Sequence, residues 1–197
     1  MDGNGGLDGG PNRSRRESRA FATLHTMLAW FAFWIVVAVV TFAVAMFAIR
    51  ARGIHPGLIL AALDTFGLVV ASYLAVTELS GGVPVCGPLE GCVEVARSKY
   101  AWLGPIPVAV FGVGLSVILL AAALGWWKTG DRRLLAIHYG LSLLGVTFEA
   151  WFMFAQVFLI EAVCVWCTAY GVSLILRFVI ALLVWLRRDK VPAEAGW

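Results

Sequence analysis

Four cysteines are the groups in this sequence best suited to redox or metal chemistry, and they come as two close pairs: Cys86 with Cys92, and Cys164-Val-Trp-Cys167. A CxxC spacing suits thiol–disulfide exchange or one half of a metal site. A tetrahedral zinc site would draw on both pairs. The five residues between Cys86 and Cys92 exceed the usual two to four between paired zinc ligands, so no metal site is assigned. Static structural disulfides are a second bland reading. Position favours redox exchange, because the CxxC opens the last long apolar run. Thiols at a helix start lie near free backbone N–H groups and the positive helix end, which lower a thiol's pKa. Such a thiolate leaves and exchanges readily, which a purely structural bond does not need. A redox relay therefore ranks above structural disulfides, and those above metal. His25, His55 and His138 pair with no second ligand at metal-site spacing and receive no catalytic role.

The elements that position these thiols are membrane spans. The 197-residue chain is 61% hydrophobic and 14% charged, with a mean hydropathy of +0.87. A soluble domain carries about a quarter charged residues, so the solvent for most of this chain is a lipid bilayer. A span needs about 20 mainly apolar residues, and five stretches qualify: 24–49, 57–79, 105–125, 134–160 and 166–186. The predicted fold is an all-α integral membrane protein with five transmembrane helices, which a family resemblance divides into a four-helix transmembrane bundle and one extra N-terminal transmembrane helix. Residues 1–20, rich in Gly, Asn and Arg, read as a disordered tail. The run 24–49 is longer than the roughly 7–15 residues of a signal-peptide core and reads as a retained helix. Residues 80–104 form the one substantial loop, with turns up to Cys92 and a short surface helix over Val93–Tyr100, and 188–197 form a C-terminal tail. The net charge of +3 comes from short basic runs beside the apolar stretches and gives no support to nucleic-acid binding.

Counting crossings brings the cysteines together. The Cys86/Cys92 loop follows the second helix, the third crosses away, the fourth returns, and the CxxC starts the fifth. Loops on the opposite side hold Arg50, Arg52, Lys128, Arg132, Arg133, Arg187, Arg188 and Lys190, against Arg97 and Lys99 on the cysteine side. The positive-inside rule then turns the cysteines outward, into a compartment where disulfides persist. Five crossings also put the four arginines of the N-terminal tail outside, leaving eight cations against six. Within the membrane, Glu149 and Arg177 each lie about 16 Å below the cysteine end of their helices at 1.5 Å per residue. They are predicted to form a buried structural ion pair, with Asp64 as the competing partner, in preference to a proton path.

The motifs together resemble the vitamin K epoxide reductase family, in particular its bacterial quinone-linked disulfide-forming members. The resemblance rests on Cys86-x5-Cys92, Ser98 six residues later, Gly104-Pro-Ile-Pro107 before the next helix, and the CxxC heading the last helix. It covers about residues 57–187, a four-helix core with redox loop 80–104. Residues 1–56 are an addition without a family role. The resemblance implies a membrane thiol oxidase that relays electrons from a thioredoxin-like periplasmic or extracytoplasmic partner to a quinone (ubiquinone, menaquinone or vitamin K-like). The partner is implied as a separate protein, since the thioredoxin-like domain fused to some bacterial members is absent. The implied route enters at Cys86, passes from Cys92 to Cys164, and leaves from Cys167 beside the quinone. Ser98 matches the family residue thought to hydrogen-bond the quinone, and Tyr170 resembles a family tyrosine just after the CxxC, one residue earlier than in the animal enzymes. Trp102 and Trp166 are candidate ring-flanking residues, as is Trp151, although most tryptophans here read as interface anchors. The asparagine of the animal enzymes has no counterpart around 101–107, so epoxide reduction is less supported than quinone reduction. The alternatives are a vitamin K or quinone epoxide reductase, or a non-catalytic membrane protein with structural or zinc-binding cysteines.

Overall fold

The structure, a computed structural model, describes residues 35–44, 54–86 and 91–188, together with the helical positions Ala32 and Phe47. Most of the predicted helix 24–49, the tail 1–20 and residues 189–197 lie outside the described residues. What is described of the first helix is α1 (Ile35–Val44), whose Phe42 packs against the bundle core.

Four helices are long and apolar enough to cross a membrane: Pro56–Leu79, Val108–Thr129, Arg132–Ile160 and Val165–Leu186. They correspond to α2 (Pro56–Leu79), the short α3 (Gly91–Arg97) lying in the loop that follows, α4 (Val108–Thr129), α5 (Arg132–Phe154) and α6 (Val165–Arg188). A π-helical segment, Ala155–Ile160, continues α5. The four long helices form a closed ring, α2 and α5 each packing against both α4 and α6. Large apolar side chains such as Val69, Val76, Phe111, Ile118 and Leu144 point away from the bundle. Lipid is the solvent that accommodates them.

Local sequence sets the helix ends. Pro56 begins α2 with its fixed φ, behind His55, whose Nδ1 accepts a hydrogen bond from the Gly57 N–H at 3.0 Å. Between α4 and α5 the chain reverses within two residues. Gly130 takes the left-handed conformation (φ 70°) that closes α4, and the Asp131 carboxylate accepts from the Arg133 N–H to start α5. The hydropathy pattern predicts α4 from Pro105; it starts at Val108 instead. Trp102–Leu103 and Ile106–Pro107 pair as a small antiparallel hairpin, turning at Gly104 with φ 65°. The core at the far end of the bundle is built on Leu60, Trp126, Leu135 and Ile180.

Candidate active site

Cys164 stands immediately before α6, where a helix has backbone donors without acceptors. Its sulfur accepts the N–H of Cys167 at 3.3 Å, the geometry of a helix cap made by a thiol. The Cys164 carbonyl accepts both the N–H and the hydroxyl of Thr168, so the first turn is fixed on this residue. Hydrogen bonding from Cys167 holds the Cys164 thiol below the ordinary range, against burial, which pushes the other way. The approach to Cys164 is irregular. The π segment ends at Glu161 in the left-handed conformation (φ 57°), and the side chain of Gln156 reaches forward to accept the Cys164 N–H at 2.8 Å. π-Helical turns inside α-helices are frequent at functional sites.

Cys86 and Cys92 form a disulfide, with Cα atoms 5.9 Å apart, while Cys164 and Cys167 are free thiols. Two aromatic side chains hold the loop that carries Cys86. The Val85 N–H donates to the Tyr73 hydroxyl at 3.0 Å, and the Trp166 indole donates to the Val85 carbonyl at 2.8 Å. The Tyr73 and Trp166 rings lie 5.0 Å apart. On the other side of the disulfide, α3 docks on the segment before the CxxC. A Cβ on Gly91 would lie 2.5 Å from the Val163 carbonyl oxygen, so only glycine allows this approach. As a result Cys92 and Cys164, both buried, share a cluster with Val95 and Phe152, and Cys86 and Cys167 pack against it. Cys86 and Cys167 are half-buried, and Cys92 and Cys164 between them are fully buried.

Cys167 faces a cavity of about 370 Å³ enclosed by α2, α4, α5, α6 and the loop 95–103. The volume suits a small-molecule ring system. The wall is apolar, built from residues such as Leu74, Val95, Leu115 and Phe152, and four polar side chains reach it: Glu78, Glu149, Cys167 and Tyr170. Tyr170 donates its hydroxyl to the Gly112 carbonyl and is hydrogen-bonded to Ser116, each at 3.2 Å. Glu149 lies over Gly171, one turn from Cys167; a Cβ there would come within 2.7 Å of its Oε1. Among the described residues, Glu149 Oε1 and Glu78 Oε2 are buried without hydrogen-bond partners. Leu103, Phe111, Leu144 and Phe148 line the cavity and are also among the exposed apolar side chains. Its mouth is therefore apolar and opens sideways from the bundle.

Of the residues expected at a quinone, Tyr170 and Cys167 line this cavity; Ser98, Trp102 and Trp166 do not. Ser98 donates to the Val95 carbonyl and Trp102 to the Ala96 carbonyl, so both brace the end of α3. Trp166 tethers the Cys86 loop. The expected Glu149–Arg177 pair does not form. Arg177 donates to Asp64 Oδ1 at 3.1 Å and to the Ser173 hydroxyl at 2.9 Å. Asp64 Oδ2 lies 3.0 Å from His138 Nε2. Gly67 makes room for the guanidinium, since a Cβ there would approach it to 2.6 Å. Glu149 packs instead over Gly171, and among the described residues its Oε1 has no hydrogen-bond partner. Sequence reasoning also passed over Glu78, which reads as a mere helix boundary, and Gln156, whose partner lies eight residues on around a π turn. A carboxylate at a span end with no cation near it is the one signal that singles out Glu78.

The sequence profile of the Vitamin K epoxide reductase family matches residues 58–182, covering α2 to most of α6. No curated protein sequence matches the chain.

Proposed function

The chain belongs to the vitamin K epoxide reductase family, and from that premise we propose that it oxidises protein thiols outside the cytoplasm and passes the electrons to a membrane quinone. The observation that carries this reading is the serial arrangement of the cysteines: Cys86 is half-buried, Cys92 and Cys164 share one buried cluster, and Cys167 faces the cavity. A thiolate of a thioredoxin-like partner reaches Cys86 first. Its attack frees Cys92, already beside Cys164. With the CxxC in its disulfide form, Cys92 attacks Cys164 and releases Cys167 into the cavity; the depressed pKa of Cys164 makes it exchangeable once its electrons move on. The partner's second thiol then attacks its bond to Cys86 and departs as a disulfide; the freed Cys86 attacks Cys92, which re-forms the Cys86–Cys92 disulfide and releases Cys164, so the dithiol of the CxxC holds the two electrons.

A quinone ring fits the donor set on three counts. The cavity is apolar with the Tyr170 ring in its wall, Cys167 offers an S–H donor, and two carboxyl oxygens lack partners. When bound, a quinone supplies an acceptor for two electrons and two protons. The protein's part is to orient the ring by Tyr170, keep water out with its apolar walls, and present Cys167.

The test is anaerobic. The protein is mixed with a reduced thioredoxin-like protein and a ubiquinone or menaquinone analogue, and quinone absorbance is followed. Loss of quinone reduction in both Cys92→Ala and Cys167→Ala is expected. Dithiothreitol-driven reduction that survives Cys92→Ala but not Cys167→Ala would reduce the loop pair to a shuttle. No quinone reduction by the unaltered protein would end the reading.

A further inference from the structure

Resting on that quinone reading, we propose that Glu149 and Glu78 are the acid–base pair that carries protons between the cysteines and the two oxygens of the quinone. Each presents one buried carboxyl oxygen that lacks any hydrogen-bond partner among the described residues, and both line the same otherwise apolar cavity as Cys167. Buried polar atoms are nearly always satisfied, and two exceptions in one cavity point to a partner the cavity is shaped to receive. The intramembrane cation Arg177 is already engaged: it donates to Asp64 and Ser173 and lies against the Tyr170 ring. Among the described residues, neither carboxyl has a structural ion pair to explain it. An ionised carboxylate without a counter-charge is costly in apolar surroundings, so both side chains suit the carrying of a proton better than a standing charge.

Placement sets both side chains at the cavity that Cys167 faces. Glu149 packs on Gly171, one turn along α6 from Cys167. Glu78, at the cysteine end of α2, lines the same cavity. The balance closes without an outside reagent. When the dithiol becomes the Cys164–Cys167 disulfide, two S–H bonds break, one S–S bond forms, and two electrons and two protons are released. Glu149 delivers its proton to one ring oxygen and is reprotonated by Cys167; Glu78 delivers its proton to the other and is reprotonated by the proton that Cys164 releases. Both electrons and both protons end on the quinone, which leaves as the quinol, and both carboxyls return to their starting state.

Two readouts test the assignment on the full chain in lipid nanodiscs. In the first, no quinone is present, and the infrared difference spectrum between oxidised and reduced CxxC is recorded. A carboxyl C=O signal that changes with the redox state is expected, with one component missing in Glu149→Gln and another in Glu78→Gln. In the second, a single turnover from the reduced CxxC to a menaquinone analogue is timed. Each Gln variant is expected to slow it by ~100-fold, the lower range for a lost acid–base group, with unchanged thermal unfolding and partial recovery in Glu149→Asp. A carboxyl region silent to CxxC redox state in the unaltered protein overturns the proposal without needing any variant to fold. Wild-type rates in both Gln variants overturn it as well, while leaving the quinone reading intact. An unaltered protein that reduces no quinone removes both.

Discussion

The position of one carboxyl depends on a hydrogen atom in the neighbouring helix. Gly171 has no side chain, and the space a Cβ would take is filled by the Glu149 carboxyl. Gly171→Ala pushes against the flexible end of a side chain rather than against backbone, so folding should suffer little, by under about 1 kcal/mol. The carboxyl, however, must move by up to an ångström relative to Cys167. The expected result is a near-wild-type melting temperature with quinone reduction slowed roughly ten- to hundredfold; a rate equal to the unaltered protein's would show that the carboxyl's place does not matter. At this scale the sequence was only partly readable. The cysteines announce themselves by spacing, and Tyr170 by its place after the CxxC. Glu149 is visible as an acid inside a span, but its partner is not: which of two carboxyls reaches Arg177 depends on helix rotation and on the gap left by Gly67, neither of which hydropathy reports. Trp166 shows the same limit. Its place in the CxxC suggests a ring-flanking residue, whereas its indole is used to hold Val85.

Between elements, two contacts carry different burdens. The Asp64–Arg177 pair and its His138 neighbour join α2, α5 and α6 at full burial. Removing one partner leaves the other's charge uncompensated, a loss of about 3–5 kcal/mol. Asp64→Asn and Arg177→Met should each lower the unfolding midpoint in detergent sharply, and the double substitution should cost less than their sum, because it removes both charges together. Additive losses would mean the pair does not couple. The contact between α3 and the Val163 segment instead governs exchange. Gly91→Ala would drive a Cβ into the Val163 carbonyl, forcing α3 and Cys92 away from Cys164, at about 1–3 kcal/mol of overpacking. Transfer from partner thiols to the CxxC should slow, while quinone reduction after dithiothreitol treatment of the CxxC should not. Equal slowing of both steps would argue against α3 as a docking element. Hydropathy located these helices to within a few residues, since a bilayer demands length and apolar composition of each. It missed the hairpin before α4, a feature of the interface where neither demand applies.

For the molecule as a whole, the helix count brings all four cysteines to one end of the bundle, which the crossing argument anticipated and the shared cluster displays. Which compartment that end faces is a matter of charge. With basic residues gathered at the Lys128–Arg133 turn and the end of α6, the cysteine end should face out. In a cysteine-free background on intact cells, Val83→Cys should react with a membrane-impermeant maleimide and Thr129→Cys should not; the reverse pattern would invert the assignment. The cavity mouth adds a condition that no single residue reveals. Because it opens sideways between exposed apolar side chains, what arrives there comes by diffusion within the lipid, not from water. The concentration the enzyme responds to would then be a mole fraction in the bilayer. Diluting a fixed amount of protein and quinone with empty lipid should slow turnover even though every molar concentration in the tube is unchanged, and a rate indifferent to added lipid would mean the ring comes in from the aqueous side. Under the proposed function, a cell that thins or enriches its quinone pool would thereby set the pace of disulfide formation outside it, with no regulator bound to the protein at all.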